Sequence, residues 1–335
     1  MALRADDPGS QKPLVKVRRA LHVLALHGDV IEACHRTHVF HVVLIVNPFA
    51  SRVTEPALEA VVQALSRVAA VETRLTERRG HAVELARSLD GADVLAVFGG
   101  DGVVNEALNG IGRDLLFAPI PGGGTSVFAR ALGLPRDPGA AAVQAAQALE
   151  AGRTRRISLG RVNGRRFAFS AGVGLDAAAV RRVEMLGRSA GGRRAGDLAF
   201  AWSLARVLAE SRGTLEPVLE VDGLGRAAFA LVAKGDPYTY AGPVPLHIAP
   251  QARFELGVDV VAPKRLTPML VPRFMRYLIR GKGQEDDDGV IYAHDLDRIE
   301  IRCDRPLPLQ ADGEDLGDAD TVLVEAERDA LTVVA

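Results

Sequence analysis

Short strand-like runs alternate with amphipathic segments between residues 42 and 152. The strand-like runs are apolar or β-branched and lie at 42–46, 71–76, 94–98 and 115–120. The amphipathic segments predict helices at 55–70, at 80–89, directly after Gly102, and from Pro138 to Ala151 with Asp137 as its N-cap. This alternation predicts a parallel sheet with helices on both faces, in which ligands bind at the carboxyl ends of the strands.

The pattern changes after Arg153. Asn163-Gly164 and Asp222-Gly223 each separate two strand-like runs, and both pairs favour the type I′ turn of a two-residue β-hairpin. Further strand-like runs lie at 258–261, 299–301 and 321–324. The second half of the chain is therefore predicted to be a mostly antiparallel β domain.

A chain of 335 residues exceeds the usual size of one hydrophobic core, so at least two domains are expected. From the changes in pattern we predict a partly disordered N-terminal extension at 1–40, an α/β domain at 41–153 and a β-rich domain at 154–320. A C-terminal strand is predicted at 321–335, and its return to the first domain is left open.

Composition narrows the function and the compartment. The formal net charge of −1 gives no electrostatic reason to expect nucleic-acid binding. Cys34 and Cys303 fit no metal or disulfide pattern, which favours a reducing cytoplasm. No apolar run is long enough to span a bilayer, and the N-terminus is a poor signal peptide. The expected localisation is cytoplasmic.

The string VLAVFGGDGVVNEALNG (94–110) carries the strongest functional signal. Gly99, Gly100 and Gly102 allow the backbone to approach a ligand closely, and the following helix offers unpaired N–H groups to a phosphate. Asp101 would repel phosphate unless a divalent cation lies between them, so the turn implies Mg²⁺ as well as a nucleotide. For GGDG alone, an ordinary strand-to-helix turn with an N-capping acid is an equally good interpretation.

The longer string GGDGVVNEALNGI (99–111) resembles the GGDGTxNEVxNGL signature of diacylglycerol and sphingosine kinases, with Val103 in place of the usual Thr. NAD kinases and phosphofructokinases share the GGDG turn, whereas Asn105-Glu106 and Asn109-Gly110 favour the lipid kinases. The resemblance implies a three-layer α/β nucleotide domain of the NAD kinase and phosphofructokinase type. It also implies a β-sandwich-like second domain across a cleft, and the use of ATP and Mg²⁺.

Three further segments of the first half resemble family motifs: VNPFASR (46–52), TERRGHAVELA (76–86) and PGGGTSVFARALGLP (121–135). Together with the GGDG string they imply the following nucleotide-binding residues: Asn47, Ser51, Thr76, Gly99, Gly100, Asp101, Gly102, Asn105, Gly122, Gly123 and Thr125. Asp101 is also the candidate metal ligand. Gly124, Ser126 and Val127 depart from the family pattern, and Val127 replaces an Asp that supports the Mg²⁺ water network in many members.

Two segments of the second half resemble family motifs that carry acids. In FSAGVGLDAAAVRRVE (169–184), Asp176 is predicted either to cap a helix or to face the substrate hydroxyl. In LPLQADGED (307–315), Asp312-Gly313-Glu314 matches the family's DGE, although Asp-Gly alone is also a common turn. Phosphoryl transfer needs a carboxylate that accepts the hydroxyl proton. We predict Asp312 as this base, with Asp101 as the competing candidate, and Glu314 as a residue that orients nucleotide or metal.

The predicted function is ATP- and Mg²⁺-dependent phosphorylation of a hydroxyl group on a membrane lipid, either diacylglycerol-like or sphingoid. The alternatives are an NAD kinase-like enzyme with a soluble substrate and a non-catalytic nucleotide- or lipid-binding relative. The expected partners are the lipid substrate and the inner membrane face, bound peripherally, with a homodimer left open and no nucleic acid. The arginines between 181 and 194 and the segment 267–283 are candidates for membrane contact. A solvated loop and a helix packed on the β domain are the respective alternatives.

Overall fold

The computed structural model describes residues 40–112, 114–189 and 213–335, together with residues 203, 206, 207, 209 and 210. The predicted N-terminal extension, apart from Phe40, and Cys34 lie outside the described residues. The chain divides into two compact units, residues 1–155 with 331–335 and residues 156–330. None of the described helices is both long enough and apolar enough to cross a bilayer.

The first unit contains a parallel sheet with helices on its connections. Its elements in chain order are β1 (Phe40–Val46), α1 (Glu55–Leu65), β2 (Ala69–Leu75), α2 (His81–Arg87), β3 (Val94–Gly99), α3 (Asp101–Gly110), β4 (Leu116–Pro121), α4 (Val127–Ala131) and α5 (Pro138–Glu150). The strands are ordered β4-β3-β1-β2 and all pair in parallel. The predicted parallel α/β architecture of the first half is confirmed.

The core of this unit explains why the two central strands are so apolar. Residues 42–46 of β1 and 94–98 of β3 are completely buried. Alternate residues of these strands join one core cluster that also contains Leu58 and Val61 of α1 and Ala145 of α5. Small alanines on α5 allow that helix to lie close to the sheet and to α1. Strands buried on both faces therefore need continuous apolar runs rather than an alternating pattern.

Helix boundaries follow local capping where it is present and sheet pairing where it is not. The predicted N-cap of α5 is confirmed, because the Asp137 side chain accepts a hydrogen bond from the backbone nitrogen of Ala140 at 2.8 Å. The predicted end of α1 at Ala70 is wrong, since the helix stops at Leu65. Ala69 and Ala70 belong to β2, where they pair with the first two residues of β1, and tertiary pairing overrides their helix propensity.

The second unit is built on an antiparallel sheet. Its elements are β5 (Thr154–Val162), β6 (Arg165–Phe167), β7 (Ser170–Val173), α6 (Leu175–Ser189), β8 (Leu219–Val221), β9 (Gly225–Ala227), β10 (Ala230–Ala233), β11 (Thr239–Ala241), β12 (Val244–Leu246), β13 (Val258–Pro263), α7 (Val271–Arg280), β14 (Val290–Leu296), β15 (Arg298–Ala311) and β16 (Glu314–Val334). The main strand order is β14-β13-β10-β7-β15-β16, and each of these neighbours pairs antiparallel. The predicted antiparallel β-rich half is confirmed.

The two predicted hairpins are present, but they differ in their turns. Val162 pairs with Arg165 across Asn163-Gly164, whose φ angles of 48° and 83° are both positive, as a type I′ turn requires. In the second hairpin Val221 pairs with Gly225, so three residues form the loop and the expected two-residue turn is wrong.

The last strand, β16, begins at Glu314, seven residues before the predicted C-terminal strand. Its last four residues, 331–334, and the following Ala335 belong to the first unit, where Thr332 and Val333 pair in parallel with β4. The chain passes from the first unit to the second between Arg155 and Arg156, two residues after the boundary expected from the sequence.

Candidate functional site

Backbone hydrogen bonds align the carboxyl ends of the four parallel strands in the first unit. Thr76 follows β2, and its nitrogen donates to Val46 O at 2.9 Å. Asn47 follows β1, and its nitrogen donates to Phe98 O at 3.0 Å. Gly122 follows β4, and its nitrogen donates to Gly99 O at 2.7 Å. Predicted nucleotide-binding residues from four separate motifs therefore meet at one edge of the sheet.

The first glycine loop (99–102) packs directly against the second glycine loop (122–125). A Cβ atom on Gly122 would lie 2.8 Å from the Cα of Gly99, and one on Gly123 would lie 2.8 Å from the Cα of Gly100. Real Cβ atoms do not tolerate such distances from backbone, so glycine is required at these positions for steric reasons. The contact leaves two strand-to-helix turns side by side, with no side chain between them.

Asp101 connects the same two loops. Its carboxylate accepts hydrogen bonds from the backbone nitrogens of Val127, at 2.9 Å, and Phe128, at 3.1 Å. These are the first two residues of α4, whose own N-cap residue, Ser126, makes no capping bond. Asp101 therefore caps the N-terminus of α4 rather than that of its own helix, α3. The acid lies at the predicted phosphate turn and has a structural role there.

The N-terminus of α3 has the features of an anion site. Its N-cap residue is Gly100, which has no side chain to cap the helix, and the helix has ten residues. Backbone N–H groups and the positive end of the helix dipole are therefore directed at the sheet edge. Within this helix Asn105 is completely buried, and its side-chain oxygen accepts a bond from Asn109 Nδ2 at 3.2 Å.

Glu106 has a role that the motif did not reveal. Its two carboxylate oxygens accept hydrogen bonds from the backbone nitrogens of Gly80, at 2.8 Å, and Ala82, at 3.2 Å. It therefore satisfies donors at the start of α2, whose N-cap Gly80 has a φ of 79° and no capping side chain. Glu106 of the signature's Asn-Glu pair thus anchors the end of the loop that joins Thr76 to α2.

The remaining predicted residues of the first unit differ in exposure. Thr76 is buried, Thr125 is half-buried, and Ser51 is exposed in a loop joined to the second glycine loop by Arg52 N donating to Gly122 O at 2.9 Å. The Asn47 side chain accepts from Phe49 N at 3.0 Å and so shapes the same loop.

The four residues that depart from the family pattern differ in burial and in backbone conformation. Val103 and Val127 are buried, whereas Gly124 is exposed. Ser126 has a φ of 49°, in the left-handed region where Asn is better tolerated than Ser, and its hydroxyl accepts a bond from Gly123 N at 3.1 Å.

In the second unit Asp312 is held by a ring of backbone donors. Its carboxylate accepts from the nitrogens of Ala168, Phe169 and Ser170, at 2.6, 3.0 and 3.1 Å, and its side chain is buried. Its φ of 48° places it in a tight turn with Gly313. Asp312-Gly313 therefore does form a turn, as one interpretation of the sequence predicts, and the Asp312 carboxylate in that turn is buried.

Asp176 lies in a buried cluster of three polar side chains. Its Oδ2 atom accepts from Tyr238 Oη at 2.9 Å and from Gln310 Nε2 at 2.6 Å. Burial raises the pKa of Asp176 above its ordinary value, although the two hydrogen bonds act in the opposite direction. Burial and the neighbouring acid also raise the pKa of Tyr238, which keeps the phenol protonated as the donor.

Gln310 connects this cluster to the Asp312 turn. Its side-chain oxygen accepts from Gly313 N at 3.0 Å while its nitrogen donates to Asp176. Glu314, the next acid of the motif, is buried and pairs with Arg165 Nη2 at 2.5 Å. The structure therefore joins Asp176 through Gln310 to the turn that carries Asp312 and Glu314, while Glu314 pairs separately with Arg165. The sequence motifs do not indicate Tyr238, Gln310 or Arg165 as partners.

The sheet edge of the first unit has features that fit a nucleotide with Mg²⁺. Within the described residues no group of three or more His, Cys, Asp or Glu residues forms a ready metal site. Mg²⁺ commonly binds through one or two carboxylates together with substrate phosphates, so a single Asp101 beside a helix N-terminus fits that chemistry. The glycine contacts described above provide the side-chain-free cradle that a polyphosphate needs.

Comparison with known proteins agrees with this architecture. Residues 41–162 match the diacylglycerol kinase catalytic domain, and residues 169–335 match the YegS C-terminal NAD kinase beta sandwich-like domain. The chain therefore belongs to the diacylglycerol kinase-like lipid kinase family, and the resemblance drawn from its motifs is confirmed.

Individual relatives add detail. The chain is 39% identical to the diacylglycerol kinase of Bacillus subtilis over 108 residues, and 32% identical over 120 residues to a candidate lipid kinase of Streptococcus pneumoniae. These segments cover 30% and 34% of this chain, and 34% and 40% of the two relatives. A crystal structure of a candidate diacylglycerol kinase from Bacillus anthracis aligns with 91% of this chain and 98% of its own, at a TM-score of 0.71 and 21% identity. That structural likeness concerns the fold.

Proposed function

We propose that this protein is a lipid kinase that transfers the γ-phosphate of ATP, in the presence of Mg²⁺, to a hydroxyl group of a membrane lipid. The observation that carries the proposal is the contact between the two glycine loops, with Asp101 joining them at the carboxyl edge of the parallel sheet. The sequence family supports the choice of a lipid acceptor, since the relatives named above are described as diacylglycerol or lipid kinases.

In the first unit, we assign nucleotide binding to the sheet edge. The N-terminus of α3 and the second glycine loop supply backbone N–H groups for the phosphates, and Asn47, Ser51, Thr76 and Thr125 border them. Asp101 is the residue to hold Mg²⁺, which when bound neutralises charge on the transferring phosphate. The Asp101 oxygens accept backbone N–H bonds from Val127 and Phe128, so the carboxylate is held in a fixed orientation at the phosphate turn.

In the second unit, we assign the acceptor site to the carboxylate network. The sequence predicts Asp312 as the base, but the Asp312 oxygens accept three backbone N–H bonds, which favour the charged carboxylate and oppose proton uptake. Glu314 pairs with Arg165, a flexible side chain that can shift as the carboxylate takes up a proton, whereas the backbone donors to Asp312 are fixed. We therefore propose Glu314 as the proton acceptor and Asp312 as the residue that shapes its turn. Asp176, whose pKa is raised by burial, is a candidate for orienting the lipid hydroxyl.

Two other functions are distinguished by the acceptor. An NAD kinase-like enzyme would phosphorylate a nucleotide rather than a lipid. Because the C-terminal domain matches an NAD kinase beta sandwich-like domain, NAD is tested as an acceptor beside the lipids. A non-catalytic relative would bind nucleotide without turnover, which the substitutions at Val103, Gly124, Ser126 and Val127 make worth testing.

The test is transfer of labelled γ-phosphate from ATP to acceptors presented singly. Diacylglycerol, monoacylglycerol, ceramide and sphingosine are supplied in mixed detergent micelles, and NAD is supplied in solution. We expect Mg²⁺-dependent label in at least one lipid and none in NAD. Label in NAD alone would replace the proposal with the soluble-substrate enzyme. ATP binding without label in any acceptor, lipid or NAD, would replace it with the non-catalytic relative.

The test variant is Asp101→Asn, and its matched control is Asp90→Asn. Both remove one negative charge from the first unit, but Asp90 is an exposed residue away from the glycine loops. We expect labelling to be lost in the first variant and retained in the second. Equal loss in both would show that the assay reports general damage to the unit rather than the site.

A further inference from the structure

The outer side of α7 carries apolar side chains that the described protein does not cover. Eight large hydrophobic side chains are markedly exposed among the described residues, and three of them lie within eleven residues of each other. Met269 is 90% exposed, Met275 is 43% exposed and Ile279 is 56% exposed. Scattered single hydrophobic residues are normal on a surface, whereas a group on one helix calls for a partner.

Helical spacing separates this surface from the side that packs on the β domain. Phe274 and Leu278 pack against the core cluster around Tyr238 and Ile248, and Tyr277 is buried. The predicted packing of this helix on the β domain is confirmed for that side. Pro272, Met275, Arg276 and Ile279 follow i, i+3, i+4, i+7 spacing, so they share one face, and all four are exposed. We call these four residues, with Met269 in the preceding turn, the outer face of α7.

Basic residues border the outer face, and acidic residues are absent from its segment. Residues 264–284 contain Lys264, Arg265, Arg273, Arg276, Arg280 and Lys282 and no Asp or Glu. Arg265 pairs with Glu216, and Arg273 pairs with Asp287. Among the described residues the other four cations form no ion pair within 4 Å.

Three of the four acidic residues that follow lie near the side of α7 opposite the outer face. Asp286, Asp287 and Asp288 line a cavity of about 330 Å³ together with Leu270, Arg273 and Phe274 of the α7 segment. None of the helix residues lining that cavity belongs to the outer face. Glu285, the first of these acids, accepts a hydrogen bond from Gly283 N at 2.9 Å and so lies close to Lys282. Arg276 on the outer face and Arg280 in the last turn form no ion pair within the described residues, so these two cations can meet an external anion.

The other basic segment considered from the sequence is less suited to this role. Arg181 pairs with Asp315 and Asp318, and Arg182 pairs with Glu210. Arg193 and Arg194 lie outside the described residues, as does the side chain of Arg188. Because Arg181 and Arg182 are paired with acids, the arginines of α7 are the better candidates for membrane contact among the described residues.

We infer that the outer face of α7 docks the protein on an anionic phospholipid surface. Met275, Ile279 and Met269 enter the boundary between headgroups and acyl chains, while Arg276 and Arg280 reach the lipid phosphates. The ten-residue helix is about 15 Å long, half of the roughly 30 Å hydrocarbon core, so it lies along the interface. This inference rests on the proposed function, because it gives a lipid kinase the surface through which it reaches its substrate.

Sedimentation of the full chain with vesicles tests the inference without ATP or turnover. One vesicle set is an equimolar mixture of phosphatidylglycerol and phosphatidylcholine, and the other is phosphatidylcholine alone. The test variant Met275→Gln/Ile279→Gln is compared with Leu186→Gln/Leu224→Gln, whose side chains are 39% and 41% exposed in wild type and lie on α6 and in the β8–β9 loop. The charge variant Arg276→Gln/Arg280→Gln is compared with Arg298→Gln/Arg305→Gln, which are also exposed. Circular dichroism and a thermal melt confirm that each variant folds.

We expect wild type to pellet with the anionic vesicles, more weakly at high salt, and its partition coefficient to fall about tenfold or more in the apolar variant. The charge variant should lose about fivefold for each arginine at low salt. Both matched controls should stay near wild type. No pelleting of wild type, equal pelleting with both vesicle sets, or equal loss in test and control variants would overturn the inference.

A second copy of the chain is the competing occupant. If wild type is a dimer by light scattering, and Met275→Gln/Ile279→Gln makes it a monomer without changing vesicle binding, the outer face is a self-association surface and the inference is overturned. Failure of the lipid kinase assay with intact, α7-dependent vesicle binding would reject the proposed function and leave this surface assignment standing.

Discussion

The Asp101 carboxylate lies 2.9 Å from the backbone nitrogen of Val127, so the GGDG turn caps a helix that begins after the second glycine loop. One acid thus serves the stability of the loop pair and, in our proposal, the metal. The two roles predict different consequences for the same substitution. Separating them is necessary before a loss of activity is interpreted.

We expect Asp101→Ala to lower the free energy of unfolding by about 0.5–2 kcal/mol, as loss of a helix cap does, and to abolish phosphoryl transfer. Asp137→Ala is the matched control, because Asp137 caps α5 through Ala140 N and does not lie in either glycine loop. It should lose similar stability and keep activity. Urea denaturation and the labelling assay measure the two effects, and equal activity in the two variants would refute the metal role.

The second glycine loop offers a comparison between two of its own residues. Gly122→Ala places a Cβ 2.8 Å from the Gly99 Cα, so we expect it to be destabilised by about 1–3 kcal/mol, with weaker ATP binding. A Cβ added at Gly124 would meet no atom within 4 Å, and the φ of Gly124 is not positive. Gly124→Ala should therefore be neutral or more stable by about 0.4–1 kcal/mol, because it restricts the unfolded chain. Thermal melts with and without nucleotide check both. A Gly122→Ala variant as stable as wild type would contradict the close packing of the loops.

The two acids of the DGE turn should differ in what they support. Asp312→Asn removes an acceptor from buried backbone donors, so we expect a loss of about 1–3 kcal/mol in stability along with activity. Glu314→Gln keeps the shape of the side chain, so it should remain folded while kcat falls by about 10²–10⁴. The measurements are kcat, ATP affinity and the urea midpoint for each variant. If Asp312→Asn keeps wild-type stability and loses only kcat, the base assignment returns to Asp312.

Asp176 predicts a pH dependence of stability. Because its pKa is raised in the folded state, the folded protein retains a proton that the unfolded chain releases. The contribution of Asp176 to the free energy of unfolding is therefore largest below the unfolded pKa of about 4 and declines as pH rises through the folded pKa. Asp176→Asn removes this decline.

Urea denaturation from pH 3.5 to 7 measures the stability difference between Asp176→Asn and wild type; this range starts near the unfolded pKa of about 4. We expect the difference to shift in favour of the variant with rising pH. Asp90→Asn, at an exposed position, is the control and should not show this shift. A flat difference for Asp176→Asn would mean that Asp176 is not protonated in the folded protein.

Much of the fold followed from local pattern. Continuous apolar runs such as 94–98 identified strands buried on both faces, and Asp137-Pro138 identified the start of α5. Asn163-Gly164 identified a hairpin, because both residues tolerate the positive φ that its turn demands. The misplaced end of α1 and the three-residue loop at 222–224 have a different origin, since strand register decides both.

The sequence predicted which residues belong to the candidate site, but it did not predict the hydrogen bonds between them. The motifs indicated Asp101, Asp176, Asp312 and Glu314 from sequence spacing. They did not indicate that Glu106 holds the start of α2, or that Gln310 links Asp176 to Gly313. A side chain such as Gln310 carries no periodic or compositional signal, and its partner Asp176 comes from a segment more than a hundred residues away.

By itself the sequence determined the two-part architecture, the family and the glycine positions at the phosphate turn, because these depend on residue type and short-range spacing. Only the tertiary structure decided what each acid touches. The hydrogen bonds of Asp101 to α4 and of Asp312 to residues 168–170 join elements that meet through strand pairing rather than through proximity in the chain. The same holds for α7, whose amphipathic pattern was visible in the sequence. Which face packs on the β domain and which remains exposed depends on the core that the helix meets.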